Sequence, residues 1–87
     1  MASIVEGGSP THLTATGNIS PGPCTLLGFY VASTTSGTVI IKDGATAISG
    51  TITPAVGFHR FPAAIGTNGV ATIANALDVT FFYVPGY

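Results

Sequence analysis

The chain has 87 residues, of which 46% are hydrophobic and only 6% charged, with a formal net charge of −1. Such a length makes a single domain. Two basic residues, Lys42 and Arg60, exclude a phosphate-gripping nucleic-acid surface; no apolar run approaches the roughly 18 residues of a membrane-crossing helix; and Cys24, the only cysteine, excludes an intrachain disulfide.

Residues 1–10 read as a short N-terminal arm, because Gly7-Gly8-Ser9-Pro10 is a breaker cluster that separates an apolar start from the body. Met1-Ala2-Ser3-Ile4-Val5-Glu6 lacks the basic start and apolar core of a secretory signal, so synthesis in a cytoplasm without export is expected. Residues 11–20 alternate, with Leu13, Ala15, Gly17 and Ile19 opposite Thr14, Thr16 and Asn18, and predict a half-buried strand that Pro21-Gly22-Pro23 stops. Residues 24–34 form the longest apolar run. Gly28, together with the β-branched and aromatic residues around it, favours a strand buried on both faces over a short helix.

Ser36-Gly37 predicts a turn into a strand over residues 38–43. Asp43-Gly44 then predicts a type I′ hairpin, whose central residues need the positive φ that Asp and Gly tolerate. The return strand, residues 45–53, carries Ser49-Gly50, a bulge signal, and ends at Pro54. Residues 56–61 make another short strand, residues 62–69 a small-residue loop, and residues 70–74 and 77–84 two more strands joined through Asn75-Ala76. In the last strand both faces are largely apolar, so one covers the core and the other is left for a partner. Seven short strands with Gly or Pro turns and no helical period predict an all-β protein. The expected fold is a small antiparallel β-sandwich or barrel, jelly-roll-like, with residues 11–87 as its one domain.

No catalytic, cofactor-binding or metal-binding residues are expected. Nucleophilic catalysis needs a Ser, Thr or Cys beside a base and an orienting group. His59 sits mid-strand, facing away from Phe58 and Arg60, and His12 opens the first strand. Cys24 precedes an apolar run and reads as a small buried hydrophobe rather than a reactive thiolate. Asp43 is accounted for by its turn, and Asp78 by local backbone N–H groups or a pair with Arg60 or Lys42. A metal would have to use His12, His59, Glu6, Asp43, Asp78 or Cys24, and none of these stands at ligand spacing. Gly7-Gly8 lacks the lysine and following helix of a phosphate loop.

With no disulfide and no metal, association is the remaining way for so small a core to become stable, since a short chain buries only about 60–65% of its surface. A homo-oligomer or lattice component is therefore expected. The competing reading is a secreted or cell-surface β-domain whose Thr-rich faces meet water.

Gly37-Thr38-Val39-Ile40-Ile41-Lys42-Asp43-Gly44 is followed by Ser49-Gly50-Thr51-Ile52-Thr53-Pro54, Gly57-Phe58-His59-Arg60-Phe61-Pro62, Gly69-Val70-Ala71 and Leu77-Asp78-Val79-Thr80-Phe81-Phe82-Tyr83. This order, across residues 24–83, resembles small virion proteins of tailed bacteriophages. The resemblance implies a non-enzymatic capsid decoration (cement) protein on the virion surface, bound to the major capsid protein. A homotrimer follows from it and from lattice symmetry rather than from any residue. A head or tail fibre module, or a receptor-binding adhesin, is the alternative. The resemblance carries no functional residues onto this chain.

Overall fold

The computed structural model describes residues 9–86, all strand, turn and loop, with no helix among them. Six strands form one antiparallel sheet: β1 (Ser9–Leu13), β2 (Gly17–Asn18), β3 (Cys24–Asp43), β4 (Thr46–Ala47), β5 (Gly57–Ile65) and β6 (Gly69–Pro85). The all-β, antiparallel class expected from the sequence is what the chain adopts.

The fold follows from the length of two strands. A straight β3 of 20 residues would span roughly 65 Å at about 3.3 Å per residue, yet the molecule measures 39 Å along its longest axis. Both β3 and its partner β6 therefore bend. The first half of β3 pairs with β5 on one side and with the second half of β6 on the other. Its second half pairs with the first half of β6 and with β4. β1 and β2 follow the same bend, pairing with the two halves of β6 in turn. The double-length hairpin is thus folded over on itself into a small sandwich, with a front layer β1–β6–β3–β5 and a back layer β2–β6–β3–β4.

At the open end the two layers are tied together. Cys24, the first residue of β3, pairs with Ile65, while Asp43, its last, pairs with Gly69 only four residues further along the chain. The intervening loop is held by Asp43, whose carboxylate accepts the N–H groups of Gly66 (3.0 Å) and Thr67 (2.9 Å), and by Gly44, whose N–H donates to Asn68 O (2.8 Å). These bonds hold the Asp43 carboxyl below its ordinary pKa. Buried Ser20 completes the seam: its hydroxyl accepts the Gly69 N–H at 2.9 Å and donates to Gly22 O at 2.9 Å.

The bend itself sits where the sequence suggested turns. Ser36 (φ 56°) and Asn75 (φ 62°) both adopt the left-handed conformation, and Asn75 Nδ2 donates to Ser36 O at 2.9 Å. Gly37 lies in the crease, and its N–H donates to Thr34 Oγ1 at 3.0 Å. Because both strands carry their breakers at facing positions, they kink together instead of reversing. Four of the seven expected strands therefore fuse into two. Conversely, the strand expected over residues 11–20 divides into β1 and β2. Thr16 bridges the gap, its Oγ1 accepting the Ile73 N–H (2.9 Å) and donating to Ile73 O (3.2 Å).

Other boundaries also differ from expectation. Ser9 and Pro10 pair with Tyr83 and Phe82, so β1 starts within what was read as the arm; the rest of that arm, residues 1–8, lies outside the described residues. The hairpin after β3 has Gly44 (φ 62°) and Ala45 at its centre, flanked by the Asp43–Thr46 pair, which is the type II′ pattern rather than I′. Asp43 is thereby released from the turn to hold the β5–β6 loop. Ser49 does mark a bulge: the N–H groups of Ile48 and Ser49 both donate to Ile41 O, and the Ser49 hydroxyl accepts the Ile41 N–H at 2.9 Å. β5 runs through Pro62 to Ile65 because the proline falls in a bulge of an edge strand, where no ladder donor is missed.

The core lies between the layers. Leu26, Phe29, Val31, Val79 and Phe81 from the front layer meet Val39, Ile41 and Ala71 from the back, with Ile19, Ile65, Leu77 and Cys24 closing the ends. Phe29 and Phe81 pack tilted, with centroids 5.5 Å apart.

Candidate functional site

Alternation along β6 turns Val79, Phe81 and Tyr83 inward and Asp78, Thr80, Phe82 and Val84 outward. The strand register extends that outer face across the front layer. One row runs Pro10, Phe82, Gly28, Arg60, and the next runs His12, Thr80, Tyr30, Phe58. Tyr30 is 45% exposed and Phe58 55%, and Val56, just before β5, is 59% exposed. The Phe58 and Phe82 rings stand 6.2 Å apart on either side of Gly28. Gly28 is required there: a Cβ would lie 2.4 Å from His59 O and 3.0 Å from the tip of the Phe58 ring, which covers the glycine. Of the four large hydrophobics exposed among the described residues, Tyr30 and Phe58 stand on this face and Val56 just precedes its edge strand. Aromatic residues concentrated on one outward face are the composition of a protein contact surface.

The outer face of the back layer is different. Thr38, Ile40, Lys42, Val70 and Thr72 are half-buried there, with no aromatic among them.

At the bend, Thr14, Ser33, Thr34, Thr35 and Asp78 line a shallow cleft of about 270 Å³. His12 Nε2 lies 2.8 Å from Asp78 Oδ1, and both side chains are well exposed. This corrects the expectation that Asp78 pairs with Arg60, Lys42 or local backbone: β1 lies against β6 and delivers His12 first. Ser33 stands opposite Asp78 in the register, but no hydrogen bond joins its hydroxyl to either group. The order is also wrong for acyl transfer, where the histidine stands between hydroxyl and carboxylate.

The remaining residues weighed from the sequence are spread through the fold. His59 is half-buried against Phe29, with ring centroids 5.3 Å apart and Nε2 2.8 Å from Ala55 O. Cys24 is fully buried. Asp43 and Asp78 sit at opposite ends of the folded hairpin, so the two carboxylates do not converge. Among the described residues no three His, Cys, Asp or Glu side chains gather as a metal site.

The signal for the aromatic face was present in the sequence. Both faces of the last strand read as apolar, but which neighbours shared its outer face depended on a register that alternation within single strands does not supply. No protein-family model, no curated protein and no solved structure matches this chain.

Proposed function

We propose that the chain is a non-enzymatic structural protein of a bacteriophage virion. In this reading it is a capsid decoration protein that lies on the head shell as a homo-oligomer and stabilises it through contacts with the major capsid protein. The observation that carries this reading is the outward aromatic face of Tyr30, Phe58 and Phe82, which is built for protein contact. Two further features support it. Both long strands are tied at their ends and at the bend, through Asp43, Ser20 and Asn75, which suits a part that must stay folded on a shell. The chain also carries few charges, so most of its contact surface is apolar or backbone. The phage assignment itself rests on the resemblance of residues 24–83.

Electron microscopy of particles labelled with an antibody raised against the purified protein tests the proposal. Label distributed over the head shell is expected. Label confined to the tail or its tip would replace decoration by the fibre or receptor-binding alternative, and particles without label would remove the virion reading altogether.

A further inference from the structure

We infer that the aromatic face is a contact between two copies of the chain, paired about a two-fold axis through Tyr30 that sets Arg60 of each copy opposite Asp78 of the other. This rests on the reading of that face as a contact surface and adds its occupant, a second copy, so contacts with the shell fall to other surfaces.

The inference comes from where the register places charge. Asp78 and Arg60 both point outward, on β6 and β5, with β3 between them; one Asp78 oxygen is held by His12 at 2.8 Å, so the pairing uses the other, Oδ2. Arg60 shares a row with Phe82, four residues beyond Asp78 on β6. Strand spacings of about 4.8 Å and residue rises of about 3.3 Å put the two corners roughly 16 Å apart. Tyr30 lies on β3 in the row of Thr80 and Phe58, so it occupies the midpoint of that diagonal.

An axis lying in the plane of contact, through Tyr30 and perpendicular to the diagonal, exchanges the two corners. A second copy rotated about it presents its Asp78 to Arg60 and its Arg60 to Asp78, giving two opposite-charge pairs from one self-complementary patch. The same axis passes within about 3 Å of the Phe82 position on these spacings. The Tyr30 and Phe82 rings of one copy therefore meet their own counterparts, with Phe58 beside them. Four strands by six residues project to roughly 380 Å² for the whole face, polar rows included. That is below the roughly 800 Å² per partner of a standard interface, so the pairing belongs with the small, weak ones. With a net charge of −1 nothing repels the second copy.

Native mass spectrometry and sedimentation of the full chain test the pairing. A species of twice 8.7 kDa is expected at micromolar concentration. Arg60→Asp sets two like-charge pairs across the interface and is expected to weaken it roughly 100-fold, about tenfold per pair. Combining it with Asp78→Arg restores opposite charges and should recover the dimer to within about tenfold of the original. Tyr30→Asp, which puts two carboxylates on the axis, should give a folded monomer. Circular dichroism checks that these outward substitutions leave the sandwich intact. A trimer, or a dimer indifferent to Arg60→Asp and Tyr30→Asp, overturns the pairing while leaving the virion proposal standing. A wild-type monomer overturns both the pairing and self-association. Absence of label on particles, by contrast, removes the virion proposal and leaves the pairing intact.

Discussion

Replacing Gly37 by alanine should destabilise the protein by about 2 kcal/mol, although φ there is not positive and Ala is the better residue for an ordinary strand. The Cβ would lie 2.5 Å from Ala76 O, 2.7 Å from Leu77 Cβ and 2.8 Å from Thr34 Oγ1. Two of these atoms belong to β6 at its bend, where the Ser36–Asn75 hydrogen bond fixes the strands together, so neither can retreat without opening the crease. Forcing a methyl into a site this tight lies at the upper end of about 1–3 kcal/mol, and the smaller entropy of the unfolded Ala chain returns only about 0.4–1 kcal/mol, leaving about 2 kcal/mol. For a small domain losing about 1 kcal/mol per molar urea, the midpoint should fall by about 2 M. Gly50 provides the control. It has nothing within 4 Å of a built Cβ and no positive φ, so Gly50→Ala should leave the midpoint unchanged or raise it slightly. Equal midpoints for Gly37→Ala and the wild type would refute the crease as the place where the sandwich folds over.

Acid should weaken the tie at the open end. The folded Asp43 carboxyl titrates below its unfolded value because it accepts N–H groups from Gly66 and Thr67, so its contribution is present above about pH 3.9 and is lost as pH falls through the lower folded value. Asp43→Asn should flatten that part of the stability–pH curve and leave the neutral range without slope; an unchanged acid limb would contradict the role given to the carboxylate. Cys24→Ala should cost about 1 kcal/mol, as a small core truncation does, and leave assembly unaffected. In the native protein the thiol should react with a bulky disulfide reagent only as fast as the chain unfolds, and immediate labelling would contradict its burial.

The strand content and the alternation of the last strand were legible in the sequence because hydrophobic periodicity reports which side chains share a face. Connectivity was less so. Ser36-Gly37 and Asn75-Ala76 carry the composition of turns, and whether such a pair reverses the chain or kinks it depends on what lies opposite. Here each lies opposite the other, a relation spanning some forty positions that local patterning does not contain. The hairpin type had the same limit. Asp43-Gly44 supplies residues that suit a type I′ centre, but the carboxylate forms two hydrogen bonds with the β5–β6 loop, and the turn centre moves one residue on. His12–Asp78 joins the first strand to the last, so it too waited on the register of β1. The aromatic face was half legible: alternation put Phe82 opposite Phe81 and Phe58 opposite His59 without saying which face is outward, and only the β6–β3–β5 pairing shows Phe58 and Phe82 flanking Gly28.

The most direct measurement is the heat release of DNA from particles made with and without the protein, followed by dye fluorescence at matched ionic conditions. We expect particles lacking it to release DNA at a lower temperature, and added purified protein to restore the original temperature. Identical release curves, with the protein shown to be absent from one sample, would contradict a role in stabilising the shell.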